Sequence, residues 1–315
     1  MIAQREIWGR TLVSLGETDP RVAVVDGDLA TSTKADLFAD AHPDRFFQIG
    51  IAEQNMVGVA FGLTTMGYRP WLSSFGVFLS QRALDPVRML VSQTGAPVKI
   101  AASYSGLLNG SSGKTHQDIE DLAIMRAMPN MTVIAPADHI EAEAAIRWAA
   151  EYDGPVYLRL ARDAVTPVFD SMPKFVPGTV HVLREGDDAV LVSTGVQSSR
   201  VMDAAEILSA RGIESRVVHV PCLKPLDEAG LLTALSGDGA IFTVEEHTII
   251  GGLGGLVAET VTSSALGKPV TRLGLADAWS ESAPNDFLLD KYGLSPAKVA
   301  VAVAGGLNTS ESRTK

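Results

Sequence analysis

Residues 42–63 read HPDRFFQIGIAEQNMVGVAFGL, a short apolar run followed by the pattern of a helix that starts near Glu53. The segment Gly50–Met56 forms the junction between the two. A carboxylate at the first turn of a helix is favoured by the helix dipole, whatever its function. Taken alone, the segment therefore predicts a helix that begins after a short apolar run and leaves the role of Glu53 open.

The same alternation of apolar runs and helical patterns continues on both sides of this junction. Strands are predicted at residues 22–26, 70–74, 98–103, 132–136 and 156–160, and helices at 5–16, 53–66, 79–94 and 139–150. Strands that alternate with helices of this length are typical of a parallel sheet with helices on both faces. The first part of the chain is therefore predicted to be an α/β domain.

A second α/β unit follows a proline-containing stretch, residues 161–188, that shows little periodicity. Its strands are predicted at 189–194, 215–219, 240–245 and 269–273, and its helices at 199–211, 228–236, 253–266 and 296–304. We therefore expect a first domain over residues 1–163, a linker over 164–186, a smaller α/β domain over 187–308 and a flexible tail over 309–315.

Composition narrows the class of protein. The 315 residues are 46% hydrophobic and 20% charged, as in a packed globular protein, and the net charge of −11 disfavours nucleic acid or an anionic membrane surface as the main partner. The longest apolar run, residues 249–258, has half the length that a membrane span needs. The single cysteine, Cys222, excludes an intrachain disulfide and indicates a cytoplasmic protein.

Ligands of open parallel sheets bind beyond the carboxyl ends of the strands. In the first domain these positions are residues 26–32, 49–54, 75–78, 103–117 and 159–162. Phe75 and Phe78 fit either the core or an aromatic floor for a planar ring. His116 fits either an acid/base or a hydrogen-bonded loop residue, and Arg5 and Arg162 fit either a phosphate clamp or surface ion pairs.

Two motifs near these positions lack the spacing that their chemistry requires. Residues 110–117, GSSGKTHQ, have two residues between the glycines, whereas the phosphate loop of nucleotide-binding proteins has four. Residues 26–28 with Asn55 approach a magnesium–diphosphate signature, but Gly27-Asp28 is followed by Leu29 where that signature has glycine. We therefore expect neither a nucleotide site nor a metal site on this chain.

Four longer motifs occur in one order along the chain. They are HPDRFFQIGIAEQNMVGVAFGL (42–63), THQDIEDLAIMRAMPNMTVIAPAD (115–138), GPVYLRLAR (154–162) and EEHTIIGGLGG (245–255). Over roughly residues 3–305 the chain resembles the C-terminal half of transketolase, and in particular the small subunit of a split, two-chain transketolase. The resemblance implies a pyrimidine-binding parallel-sheet domain of the thiamine diphosphate type followed by a smaller transketolase C-terminal α/β domain.

The resemblance also implies an activity, the transfer of a two-carbon ketol unit from a ketose to an aldose, and assigns roles to residues. Glu53 matches the carboxylate that activates thiamine diphosphate, because its hydrogen bond to the aminopyrimidine N1′ promotes the tautomer that removes the C2 proton. His116 matches the loop histidine near the substrate carbonyl. Contacts to the cofactor are implied for Asp28, Phe75, Phe78 and Gln81.

Substrate binding is implied by the same resemblance for Arg5, Ser32 and Arg162, which match positions that bind a sugar phosphate. Tyr104 replaces a family histidine that touches the distal phosphate, and Ser112 replaces an acidic residue that touches a substrate hydroxyl. Lys114 is a cation that most relatives lack. These departures predict a non-standard sugar, such as a branched or deoxy sugar or one that bears a sulfonate.

The family's diphosphate and Mg²⁺ site, a Gly-Asp-Gly…Asn segment, is not present in phase in this chain. The resemblance therefore implies a larger partner subunit that carries this site, shared thiamine diphosphate, and a heterotetramer with two copies of each chain. Two alternatives stay open: the β subunit of a 2-oxo acid dehydrogenase E1 component, and a non-catalytic regulatory subunit of the same fold.

Overall fold

The structure is a computed structural model that describes residues 1–172 and 174–313, with the backbone alone beyond residue 308. Pro173, within the predicted linker, and the last two residues of the predicted tail lie outside the described residues.

Two α/β units follow each other along the chain. The strands are β1 (Val22–Asp26), β2 (Phe46–Gln48), β3 (Arg69–Phe75), β4 (Lys99–Ser103), β5 (Thr132–Ile134), β6 (Val156–Leu160), β7 (His181–Arg184), β8 (Ala189–Ser193), β9 (Ser215–His219), β10 (Cys222–Lys224), β11 (Ala240–Thr248) and β12 (Val270–Leu275). The helices are α1 (Gln4–Thr18), α2 (Ala30–Thr33), α3 (Asp36–Ala41), α4 (Glu53–Thr65), α5 (Leu84–Pro86), α6 (Asp121–Ala127), α7 (His139–Glu151), α8 (Gln197–Ser209), α9 (Glu228–Ala234), α10 (Leu253–Thr262), α11 (Asn285–Lys291) and α12 (Pro296–Arg313).

The first sheet has seven strands in the order β10-β5-β6-β4-β3-β1-β2, and all pairs are parallel except β10 with β5. Strands β1, β4 and β6 are buried along their whole length because helices cover both faces, which explains their continuous apolar runs. One core cluster packs under α4 and the other under α1 and α7. The carboxyl ends of these strands therefore share one edge of the sheet.

The second sheet has five strands in the order β12-β11-β8-β9-β7, with β7 antiparallel to β9. The two-domain α/β prediction is confirmed, and a strand is present at every predicted position. Three short strands were not predicted: β2, β7 and β10. Strand β7 lies within the stretch for which no element was expected, because a four-residue edge strand with a largely half-buried pattern gives no periodic signal.

The helix predicted over residues 79–94 is present but interrupted. Two π-helical turns, Phe78–Arg82 and Val87–Ser92, flank the short helix α5. Pro86 removes one backbone donor from this segment, and π turns occur preferentially at functional sites. The first π turn begins at Phe78, three residues after the last residue of β3, so it sets the position of a predicted site residue.

Strand β4 begins with Lys99, whose side chain is fully buried and donates from Nζ to the carbonyl oxygens of Tyr152 and Gly154. Burial lowers the pKa of Lys99 from 10.5 to about 7. Between these two values the unfolded chain binds more protons than the folded chain. The free energy of unfolding should therefore rise with pH in this window, by at most about 1.4 kcal/mol per pH unit.

Replacing Lys99 by methionine should remove this rise, which urea unfolding at pH 7, 8 and 9 would measure. Lys298→Met is the matched control, because Lys298 is exposed and pairs with Asp290 at 3.7 Å. Parallel stability profiles for the wild type and Lys99→Met would contradict the prediction.

Among the described residues, no helix combines the length and the apolar character that crossing a membrane requires.

Candidate active site

Four rings cluster at the carboxyl edge of the first sheet, and we call them the ring cluster: Phe75, Phe78, Tyr104 and His116. Phe75 ends β3 and stacks on Tyr104, which follows β4, with ring centroids 4.2 Å apart. Phe78 lies 5.9 Å from Phe75, and His116 packs edge-on against both phenylalanines at 5.3 and 6.1 Å. Phe78 is half-buried, so the cluster presents a ring face beyond the core.

Glu53 lies beside this cluster at the first residue of α4. Its side chain is 2% exposed, and its Oε1 accepts a hydrogen bond from Arg82 Nη1 at 3.0 Å. The Arg82 guanidinium carbon lies 4.1 Å from the Phe78 ring centroid, so Arg82 joins the carboxylate to the ring cluster. The site thus combines a buried carboxylate with aromatic faces.

A cationic group adjoins the other side of the ring cluster. Arg5 Nη1 donates to the carbonyl oxygen of Ser32 at 2.7 Å and to the Tyr104 hydroxyl at 2.5 Å. The guanidinium carbons of Arg5 and Arg162 lie 5.2 and 5.4 Å from the Tyr104 ring centroid. Arg5 forms no ion pair with a described residue, and its buried Nε has no hydrogen-bond partner there. Two guanidiniums with a free donor are suited to an anion.

The loop that carries His116 begins at Tyr104, which has a left-handed backbone with φ of 59°. His116 Nδ1 lies 2.8 Å from the Thr115 hydroxyl, and the Ser112 hydroxyl donates to Asn109 at 3.1 Å. Ser112 and Lys114 are exposed. No described hydrogen bond, ion pair or ring contact joins either of them to the ring cluster.

Asp28 and Gln81, the other residues predicted to contact the cofactor, are both exposed. Asp28 has a left-handed φ of 67° and donates from its backbone N–H to Gln48 Oε1 at 2.9 Å, with its side chain exposed at the end of β1. Gln81 is exposed and lines a groove of about 440 Å³ together with Glu120, Ile250 and Trp279. Neither side chain has a described bond to Glu53.

The second domain holds the loop of His116 in place. Glu246 Oε1 accepts from the backbone N–H groups of Leu107 and Leu108 at 2.9 and 3.2 Å. Glu245 caps helix α10 by accepting from Leu253 and Gly254, as expected for a helix start, and burial raises the pKa of Glu245 to about 7. The adjacent residues Glu245 and Glu246 lie in no periodic pattern, so nothing in the sequence indicated that Glu246 would contact the first domain.

A buried ionic network lies behind this loop. Arg159 Nε donates to Asp121 Oδ2 at 2.8 Å, and its Nη2 donates to the carbonyl oxygens of Asp118 and Glu246. Tyr157 Oη donates to the same Asp121 oxygen at 2.9 Å. Burial and the nearby Asp121 raise the pKa of Asp118 well above its usual range. Sequence reasoning missed this network and also Arg82, because each contact joins residues distant in sequence.

Comparison with known proteins identifies the family. Residues 1–167 match the family described as the transketolase pyrimidine binding domain, and residues 178–299 match the transketolase C-terminal domain. The chain belongs to the transketolase family. The resemblance inferred from the four motifs is thereby confirmed.

Several relatives are similar along nearly the whole chain. A Methanocaldococcus jannaschii protein described as a transketolase C-terminal section is 41% identical, covering 94% of this chain and 93% of its own. The 6-deoxy-6-sulfo-D-fructose transketolase subunit of Clostridium sp. strain MSTE9 is 35% identical, covering 95% and 92%. A solved structure described as a split-gene transketolase, an inactive β4 tetramer, is 44% identical with a TM-score of 0.90, covering 98% and 99%.

Transketolases depend on thiamine diphosphate, and part of this site fits that cofactor. An aminopyrimidine needs a hydrogen-bond partner at N1′ and a flat apolar surface. Glu53 supplies a buried carboxylate that Arg82 links to Phe78, and Phe78 and Phe75 supply ring faces. These side chains therefore fit the aminopyrimidine half of the cofactor.

Proposed function

We propose that this chain is the small subunit of a split transketolase and that it supplies one half of an active site shared with a larger partner subunit. The observation that carries the proposal is the buried carboxylate of Glu53 beside the face of Phe78, at the sheet edge that also holds Arg5, Tyr104 and Arg162. A structural scaffold has no need of a buried carboxylate at a half-buried ring face.

Each group has a distinct task in this proposal. Thiamine diphosphate, when bound, supplies the carbon nucleophile and electron sink for the transfer of a two-carbon ketol unit. Glu53 holds a proton at the aminopyrimidine, and Phe75 and Phe78 orient that ring. His116 donates a hydrogen bond to the substrate oxygen on which negative charge develops. Its edge-on packing against both phenylalanines keeps the imidazole above the ring faces.

The cationic group selects the sugar. Arg5 and Arg162 flank Tyr104, so they bind an anionic group at the far end of the substrate. The Tyr104 hydroxyl already accepts a hydrogen bond from Arg5 Nη1, so this donor is engaged before the anion binds. A relative acts on a sulfo sugar, which supports a sulfonate or phosphate sugar as the substrate class. The remaining groups of the substrate face the loop of Ser112 and Lys114.

The substrate preference is tested by the double variant Tyr104→His with Ser112→Asp. It should shift the ratio of kcat/KM for xylulose 5-phosphate over 6-deoxy-6-sulfofructose about tenfold towards the phosphate, because one hydrogen bond to a charged group is redirected. Ser111→Asp, at the exposed neighbouring position, is the control. A wild-type enzyme that already prefers xylulose 5-phosphate with ribose 5-phosphate would contradict the altered preference.

A partner subunit is supported by apolar surface next to the site. Ile51, two residues before Glu53, is 73% exposed, and Trp279 and Ile250 in the groove beside Gln81 are 63% and 56% exposed. Such surface is costly in a free monomer and is typical of interfaces. We infer a heterotetramer with two copies of each chain, in which the partner carries the diphosphate and Mg²⁺ site. The lone buried cysteine fits a cytoplasmic enzyme.

The decisive experiment is capture of the tagged chain from its native host, followed by native mass spectrometry and an assay with sugar phosphates. We expect a co-purifying chain with a Gly-Asp-Gly…Asn segment, bound thiamine diphosphate and ketol transfer. A similar solved structure is described as a split-gene transketolase in an inactive β4 tetramer, which supports assaying the complex rather than this chain by itself. A homo-oligomer without cofactor or partner would instead support a non-catalytic subunit.

A further inference from the structure

The Arg82 side chain makes the two contacts that the aminopyrimidine of the cofactor requires. Its Nη1 donates to Glu53 Oε1 at 3.0 Å, and its guanidinium carbon lies 4.1 Å from the centroid of the Phe78 ring. Both groups are flat and delocalised, and both combine an aromatic contact with a hydrogen bond to a carboxylate. The guanidinium and the aminopyrimidine therefore compete for one position.

We propose that Arg82 is an internal stand-in for the aminopyrimidine: it satisfies Glu53 in the cofactor-free subunit and leaves the carboxylate when thiamine diphosphate binds. The inference rests on the proposed function, because it assumes that Glu53 and Phe78 receive the cofactor. It adds a positioning residue that sequence reasoning did not identify.

The burial of the two partners determines which one moves. The Glu53 side chain is 2% exposed and lies at the start of α4, whereas the Arg82 side chain is 51% exposed. A half-exposed arginine regains hydration when it turns outward, but a buried glutamate has no comparable alternative. The exchange therefore consists of Arg82 swinging into solvent around a fixed carboxylate.

The backbone geometry allows this swing without unfolding. Phe78 and Arg82 are the first and last residues of the π-helical turn, and their separation places the guanidinium over the ring. The Arg82 carbonyl oxygen accepts from Gln54 Nε2 at 3.2 Å, which ties the turn to α4. Only the side-chain torsions of Arg82 need to change.

The stand-in has a functional consequence for the separate subunit. A buried carboxylate is more stable with a partner, so Arg82 keeps Glu53 paired in the lone subunit until the partner subunit and the cofactor arrive. The same ion pair weakens cofactor binding, since part of the cofactor's binding free energy is used to displace Arg82. Removing the Arg82 side chain should therefore tighten the binding of the cofactor.

The test is the dissociation constant of thiamine diphosphate, measured with Mg²⁺ by calorimetry on the reconstituted complex. Arg82→Gln should bind the cofactor about fivefold more tightly than the wild type, as expected for a partly exposed ion pair. Arg82→Lys keeps the positive charge but lacks the planar guanidinium, so its dissociation constant should lie between those of the wild type and Arg82→Gln. Arg88→Gln is the matched control, because Arg88 is exposed and its described hydrogen bond goes to Met89 rather than to a carboxylate.

A second comparison isolates the competition. In a Glu53→Gln background, Arg82→Gln should leave the dissociation constant unchanged, because the charged partner of Arg82 is already gone. Equal binding by Arg82→Gln in the Glu53 background would overturn the proposal, and weaker binding would overturn it and make Arg82 a cofactor contact. A wild-type complex that binds no thiamine diphosphate would overturn the proposed function instead.

Discussion

Glu53→Gln is expected to lower kcat of the reconstituted complex by about 10²- to 10⁴-fold, the usual effect of losing a proton-transfer group. The amide has nearly the same size and still hydrogen bonds, but it cannot hold a transferable proton at the aminopyrimidine. Glu53 is buried at the start of α4, and its described side-chain partner is Arg82, a cation that cannot take the place of a carboxylate. Steady-state ketol transfer with saturating thiamine diphosphate measures the effect.

The control is Glu143→Gln, because Glu143 is a partly exposed residue of α7 whose ion pair with Arg147 is 2.8 Å long. This variant should retain wild-type kcat within twofold, because an exposed ion pair contributes little free energy. Unfolding curves would establish that both variants fold. If Glu53→Gln retains full activity in a complex that contains the cofactor, Glu53 is not the activating carboxylate.

Arg159→Met is expected to cost about 3–5 kcal/mol of unfolding free energy at pH 7, because it breaks a buried ion pair by removing one partner. Asp121 would be left without its 2.8 Å donor, and the carbonyl oxygens of Asp118 and Glu246 would lose theirs. Urea unfolding measures the loss. Arg147→Met, which breaks an exposed pair, should cost less than about 1 kcal/mol.

Adding Asp121→Asn to Arg159→Met distinguishes charge from packing. The asparagine removes the unpaired buried charge, so the double variant should be more stable than Arg159→Met alone. Equal stability of the single and double variants would show that the loss comes from packing of the arginine stem. Near-wild-type stability of Arg159→Met would mean that water or a shifted side chain compensates Asp121.

Much of the fold was predictable because local patterns agree with the final architecture. Buried parallel strands such as β1 (VAVVD) and β6 (VYLRL) need apolar residues on both faces, and that requirement is visible as continuous runs. The short strands β2, β7 and β10 were not visible, because three or four residues at a sheet edge carry no period. Their formation depends on the neighbouring strand.

The candidate site was predictable in part for a similar reason. Phe75 ends β3 and Tyr104 follows the adjacent parallel strand β4, so the rule for strand ends places them together. The same rule brings Arg162 to this edge after β6. Arg82 and Glu246 were not predicted, because the first depends on the width of a π turn and the second on how the second domain packs.

Hydrophobic period and turn chemistry act over a few neighbouring residues, so the two α/β units and the residue types at the strand ends could be predicted from the amino-acid order. The four ordered motifs indicated the family in the same way. The pairing of Arg82 with Glu53, the position of Arg5 and Arg162 beside Tyr104, and the contact of Glu246 with the loop of His116 are visible only in the folded structure. These contacts join residues 29 to 139 positions apart, and such pairs leave no pattern in a single sequence.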